Sequence, residues 1–253
     1  MLNQIDVQDI VTIAKEAGDA IMQVYRQDFE VEYKQDSSPL TLADKKANDI
    51  IKDGLNKLPF NLPILSEEGK EIPYKVRKHW EYFWLVDPLD GTKEFVKKNN
   101  EFTVNIALIY KDTPVLGVVY APALDICYWA KQDRGAFKDG QRLPLKTEGQ
   151  RETYRIVASR SHMSNETQAF IDAIDTNKEK ELISIGSSLK VCFVAEGETD
   201  IYPRLGPTME WDTGAAHVIA NESGAKLSGF IDNSYVSFFY NKKNLLNLQF
   251  IVT

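Results

Sequence analysis

Carboxylates close or open apolar runs at three places in this 253-residue chain. Leu62-Pro63-Ile64-Leu65 ends in Ser66-Glu67-Glu68-Gly69, and Tyr82-Phe83-Trp84-Leu85-Val86 ends in Asp87-Pro88-Leu89-Asp90-Gly91-Thr92. Glu210-Trp211-Asp212 opens a helical pattern that runs through Val218. Strand ends and helix starts are where side chains from distant segments converge on one cleft. Carboxylate oxygens, with a main-chain carbonyl where Pro88 forces a turn, are the hard donors that Mg²⁺ selects. Like charges gathered in a partly buried cleft repel strongly unless cations or protons neutralise them. A divalent metal supplies that neutralisation. Gly91-Thr92 would offer backbone N–H groups and a hydroxyl at a helix start, an arrangement that favours a phosphate. Metal-binding carboxylates beside an anion cradle are the parts for metal-assisted hydrolysis of a phosphate ester.

Each element also has an ordinary explanation. Glu67-Glu68 alone reads as a solvated turn, and Asp-Pro and Asp-Gly are common turn dipeptides. Asp212 just inside a helix complements the helix dipole, and Asp44 is explained by half of a capping box. Only the ordered combination points to a site.

The elements that must position these residues follow from periodicity. Ile10, Ala14, Ala17, Ile21 and Val24 form one face of a helix over the first 25 residues. Thr41-Leu42-Ala43-Asp44 predicts an N-cap and an acidic N3 residue for a second helix, whose stripe continues through Ala47, Ile51 and Leu55. The runs at 62–65, 82–86, 103–110, 115–121 and 126–130 have the length and β-branched or aromatic content of strands. From Thr103 to about Leu145, with an Asp139-Gly140 turn, they predict an antiparallel meander.

After about Arg151 strands at 155–158, 182–185 and 200–202 alternate with helices at 164–174, 187–196 and 211–220. This predicts an α+β half over 1–150 and an α/β half over 151–253, stacked as one catalytic unit. Thr147 to Thr153 is the one plausible boundary.

Composition narrows the class. With 43% hydrophobic and 26% charged residues the chain is an ordinary globule. Its 30 Lys+Arg against 37 Asp+Glu give a net charge of −7, which argues against gripping nucleic acid or anionic membranes through bulk charge. No stretch approaches the ~18 apolar residues of a membrane span. Asp6 and Asp9 stand where an export signal needs basic and then apolar residues, and Cys127 and Cys192 read as two ordinary thiols. The expectation is a cytoplasmic protein, with loose peripheral attachment at the inner membrane face left open. His79 and His217 are taken as structural or surface residues.

The string Trp84-Leu85-Val86-Asp87-Pro88-Leu89-Asp90-Gly91-Thr92, preceded by Ser66-Glu67-Glu68 and followed by Trp211-Asp212, resembles the signature pair of the inositol monophosphatase superfamily. The resemblance runs over nearly the whole chain. It implies a layered αβαβα sandwich and a lithium-sensitive, Mg²⁺-dependent phosphatase using two or three Mg²⁺ ions. Lys93-Glu94-Phe95, Gly117-Val118-Val119-Tyr120-Ala121-Pro122, Ser159-Arg160-Ser161-His162 and Gly186-Ser187-Ser188-Leu189-Lys190 further resemble its bacterial 3′(2′),5′-bisphosphate nucleotidase branch.

Carried over by position, the resemblance implies that Glu67, Asp87, Asp90 and Asp212 bind metal, with Leu89 lending its carbonyl. Asp44 and Thr92 would orient and deprotonate the attacking water, with Glu67 also in the catalytic group. Gly91 and Thr92 would form the phosphate-binding turn. His162, Ser187, Lys190 and Arg204 would contact the nucleotide, and Asp212 would also face substrate. No phosphoenzyme is needed. The helix after Asp212 departs from the family by reading Thr213-Gly214-Ala215-Ala216, a glycine where an alanine is more common.

The implied reaction releases the 3′-phosphate of adenosine 3′,5′-bisphosphate as part of nucleotide recycling in sulfur assimilation. The implied partner is a small nucleotide and not a nucleic acid. An inositol or sugar phosphate phosphatase shares the same metal site, and a regulatory protein that binds a phosphorylated metabolite stands as the non-enzymatic alternative. A mere binder has no need of the Asp44–Thr92 pair.

Overall fold

In the computed structural model the described residues are 2–27, 31–33, 39–145, 151–160 and 163–253. The first helix, α1 (Val7–Tyr25), is capped by Asp6, which accepts a hydrogen bond from Gln8 N at 2.9 Å. Its predicted stripe, Ile10 to Val24, is buried throughout. A hairpin of β1 (Val31–Tyr33) and β2 (Pro39–Thr41) leads into α2 (Leu42–Lys57). The predicted capping box forms there: Ala43 N donates to Thr41 Oγ1 at 3.1 Å and Thr41 N to Asp44 Oδ2 at 2.7 Å.

Next come β3 (Ile64–Ser66), α3 (Tyr74–Arg77), β4 (Tyr82–Asp90) and α4 (Thr92–Val96). The predicted meander follows as β5 (Thr103–Tyr110), β6 (Thr113–Ala121), β7 (Ile126–Lys131), β8 (Gly135–Lys138) and β9 (Gln141–Arg142). These strands lie in sequence order in one seven-stranded sheet, with only β3 and β4 parallel. Alternation along β4 sends Trp84 and Val86 to one face, against α1 and α2, and Phe83 and Leu85 to the other. A one-residue slip would exchange the two cores, so the register is firmly set.

The second half supplies β10 (Thr153–Ser159), α5 (Asn165–Ala173), β11 (Glu179–Ile185), α6 (Leu189–Ala195), β12 (Tyr202–Arg204) and α7 (Glu210–Ser223). Strands β13 (Leu227–Ile231), β14 (Ser234–Val236) and β15 (Phe250–Val252) complete it. Strand β10 pairs with β11 in parallel, β12, β15, β13 and β14 form a four-stranded sheet, and an Ile156–Ile201 bridge joins the two groups. Helices α6 and α7 fill the layer between this surface and the large sheet, and α5 covers its outer side through Phe170 and Ile171. The layers therefore run α, β, α, β, α, and one core combines residues from both predicted halves. The expected boundary at 147–153 falls partly outside the described residues, since 147–150 are not among them.

Three expectations shift in detail. Strand β4 does not stop at Val86. Asp87 pairs with Asn105 and Asp90 with Thr103, so the four residues from Asp87 to Asp90 face three on β5 in a bulge that accommodates Pro88. The third strand of the second half begins at Tyr202, with Ile201 making only an isolated bridge. The unusual Gly214 has a packing reason, because a Cβ there would stand 2.9 Å from Leu85 Cδ2. Its counterpart on the sheet is Gly117, where a Cβ would lie 2.2 Å from the carbonyl oxygen of Ala215. Helix α7 thus rests on the sheet at a distance only glycine permits. Gly117→Ala is expected to cost about 1–3 kcal/mol through overpacking, read as a lowered urea midpoint. An unchanged midpoint would mean that the helix can lift without loss.

Among the described residues no helix is long and apolar enough to cross a membrane.

Candidate active site

The bulge in β4 sets the site. It places Asp87 and Asp90 on one side of a single cavity of ≈ 360 Å³ whose lining includes Glu67, from the turn after β3, and Asp212, from the first turn of α7. Leu89, Gly91, Thr92, Ser187, Lys190 and Arg204 line the same cavity. Of the remaining expected residues, Asp44 lies behind Thr92, within hydrogen-bond reach of it. His162 lies outside the described residues.

One carboxylate oxygen each from Glu67, Asp87 and Asp212 fall within 4.8 Å of one another. Asp87 Oδ1 accepts from Leu89 N at 3.0 Å, and Asp212 Oδ2 accepts from Met209 N at 2.8 Å, so the backbone orients both side chains. Burial, followed by repulsion from Glu67, Asp90 and Asp212, pushes the Asp87 carboxyl well above its ordinary range. The Asp212 carboxyl is pushed up in the same way, by burial and then by Asp90 and Glu67. Three hard oxygen donors that repel one another at this spacing fit a divalent cation. Asp90 stands outside the trio, with Oδ2 receiving Ser188 N at 2.6 Å and Ser188 Oγ at 2.7 Å.

Gly91 is the N-cap of α4 with φ +89°, a left-handed conformation that suits glycine. A Cβ there would also approach the Glu101 carbonyl oxygen to 3.0 Å and Ser187 Cβ to 3.3 Å. The turn therefore brings the start of α4 against the turn before α6. Thr92 Oγ1 donates toward Asp44 Oδ1 at 3.3 Å and toward the Leu89 carbonyl oxygen at 3.2 Å. Asp44 is 2% exposed, and burial raises its carboxyl against the hydrogen bonds from Thr41 that lower it. The capping reading and the catalytic reading of Asp44 are compatible: Oδ2 caps the helix while Oδ1 meets Thr92.

Two buried cations face the carboxylates. Lys190 donates to the Ser187 carbonyl oxygen at 2.5 Å and sits 5.6 Å from the centre of the Tyr202 ring. Burial pulls its ammonium down to about 8, against the attraction of Asp90. A phosphate beside it would restore the charge that burial weakens. Arg204 Nη2 donates to the Pro207 carbonyl oxygen at 2.9 Å.

Residues that sequence reading passed over hold these parts in place. Glu210 is fully buried and accepts from Asn241 N at 2.6 Å, Lys242 N at 3.0 Å and Lys242 Nζ at 2.6 Å, which ties the first turn of α7 to the C-terminal segment. Glu101 pairs with Arg160 at 2.8 Å and accepts from Gly186 N at 2.8 Å. Asn105, a buried amide in the mostly apolar strand β5, is a signal of this kind that the sequence offers. His217 is buried behind the site, with Nδ1 3.0 Å from Tyr240 Oη.

The model of the inositol monophosphatase family matches residues 3–248. Among its relatives, the 3′(2′),5′-bisphosphate nucleotidase CysQ of Salmonella typhimurium is 48% identical over 223 residues, 87% of this chain and 88% of that protein. Its namesake in Escherichia coli K12 is 47% identical over the same shares. Among solved structures, CysQ from Bacteroides thetaiotaomicron superimposes with a TM-score of 0.86 at 42% identity, covering 97% of this chain and 96% of that one.

Proposed function

The chain belongs to the inositol monophosphatase family, and from that premise we propose that it is a 3′(2′),5′-bisphosphate nucleotidase, releasing the 3′-phosphate of adenosine 3′,5′-bisphosphate to give AMP and phosphate. The observation that carries the reading is the presence of two buried cations, Lys190 and Arg204, in the same cavity as the carboxylates of a metal-dependent phosphatase. A substrate with a second phosphate gives them a purpose. The buried free thiols Cys127 and Cys192 are in keeping with a cytoplasmic enzyme serving nucleotide recycling.

Glu67, Asp87 and the Leu89 carbonyl would hold one Mg²⁺, and Asp87, Asp90 and Asp212 a second. Bound there, the ions supply a more acidic water and neutralise charge on the phosphoryl and leaving oxygens. The chain's own groups do the rest. Thr92 Oγ1 positions the attacking water and passes its proton toward Asp44, whose raised affinity for protons suits a base. The water oxygen bonds to phosphorus as the bond to the 3′-oxygen breaks, and that oxygen leaves with the electron pair and takes up a proton from the surrounding water. Backbone N–H groups of the Gly91–Thr92 turn steady the phosphate. Lys190, Arg204 and Ser187 hold the nucleotide.

Each charge-assisted contact is worth roughly 1.5–3 kcal/mol. Lys190→Ala or Arg204→Ala is therefore expected to raise KM for adenosine 3′,5′-bisphosphate about tenfold or more, with much smaller changes on inositol 1-phosphate. Steady-state kinetics on both substrates checks this, and equal losses on the two would remove these residues from nucleotide recognition.

A further inference from the structure

We propose that Ser188 is a positioning residue for Asp90, fixing which of its carboxylate oxygens is presented to a cation; this rests on the reading of Asp90 as a ligand made above. Among the described residues the hydrogen bonds to the Asp90 carboxylate fall on Oδ2: from Ser188 N at 2.6 Å, Ser188 Oγ at 2.7 Å and Asn105 Nδ2 at 3.3 Å. Oδ1 is what remains for the cavity. Ser188 is 4% exposed and Asn105 1% exposed, so these donors are shielded from bulk water.

The arrangement is itself held. Asn105 Nδ2 also donates to Ser188 Oγ at 2.9 Å, and Thr103 Oγ1 donates to Asn105 Oδ1 at 3.0 Å, which sets the sense of the amide. Ser188 Oγ lies equally close, 2.7 Å, to the main-chain oxygen of Asp212. One hydroxyl thus joins the β4 bulge, the turn before α6 and the first turn of α7. A carboxylate without such partners rotates between equivalent orientations and loses that freedom when it binds a cation. Asp90 has lost it beforehand. Ser187 and Lys190 flank Ser188 on the same turn, so the segment expected to touch the nucleotide also carries the group that orients Asp90.

The test is titration of the metal-free full chain with Mn²⁺, followed by loss of the free-ion electron paramagnetic resonance signal. Wild type is compared with Ser188→Ala, Ser188→Thr, Asp90→Asn and the double variant. Ser188→Ala is expected to weaken Mn²⁺ binding about tenfold, the size of one lost hydrogen bond to a charged group. Ser188→Thr keeps the hydroxyl and is expected to stay within about threefold of wild type. Adding Ser188→Ala to Asp90→Asn is expected to change nothing further, because residues that act through one another are not additive. An equal loss in both backgrounds, or unchanged binding in Ser188→Ala, overturns the proposal. Weakened binding in Asp90→Asn beside unchanged binding in Ser188→Ala overturns this inference alone, whereas unchanged binding in Asp90→Asn overturns the ligand reading of Asp90 and this inference with it. Should Ser188→Ala not fold, Asn105→Ala, which removes a donor to both Asp90 and Ser188, is read instead, with weaker binding expected and unchanged binding contrary.

Discussion

Asp212→Asn is expected to lower kcat/KM by roughly three orders of magnitude, the loss of about 4 kcal/mol of transition-state stabilisation that a correctly held metal supplies. The substitution keeps the shape of the side chain, and an amide oxygen still accepts the hydrogen bond from Met209 N. What disappears is one negative charge from a trio of carboxylates whose oxygens lie within 4.8 Å. The fold is expected to survive, with the metal-free variant at least as stable as metal-free wild type, because one of several mutually repelling groups has been neutralised. Phosphate release at saturating Mg²⁺ and a thermal melt in chelator measure the two effects. Near-normal turnover at low Mg²⁺, or a melt that collapses in chelator, would mean that Asp212 serves the fold rather than the cation.

Thr92→Ala should reduce kcat by on the order of 10² or more while leaving KM for the nucleotide nearly unchanged, as when a group that positions the nucleophile is lost. The hydroxyl it removes reaches Asp44 Oδ1 and the Leu89 carbonyl oxygen. Thr92 is a cleaner probe than Asp44, whose Oδ2 also caps α2 and whose loss would destabilise that helix. Thr92→Ser keeps the hydroxyl and should recover most of the rate. A variant with raised KM and unchanged kcat would make Thr92 a phosphate anchor only.

The parts of the molecule that were legible in the sequence are those that local rules decide. The stripe of α1, the capping box at Thr41 and Asp44 and the Asp139-Gly140 turn each depend on residues within a few positions of one another. The carboxylates were legible because three acidic clusters stood at element ends, and the cavity gathers all four expected metal-binding side chains. The bulge that continues β4 through Asp90 was not, since it depends on pairing with Thr103 and Asn105 on a neighbouring strand. Asn105 reads locally as a polar blemish in an apolar run, and only the approach of Ser188, 83 positions away, gives it a purpose. Gly214 looked like a weakness in a helix until Leu85 was seen beneath it. Strands β13 to β15 are short and take their order from the sheet rather than from their own pattern.

The most direct measurement is the kcat/KM of the wild-type enzyme with Mg²⁺ on adenosine 3′,5′-bisphosphate beside inositol 1-phosphate, with the nucleotide product identified. Two charge-assisted contacts from Lys190 and Arg204 predict a preference for the bisphosphate of at least about a hundredfold, with AMP as the product. Equal efficiency on the two substrates, a preference for inositol 1-phosphate, or release of the 5′-phosphate in place of the 3′-phosphate would contradict it.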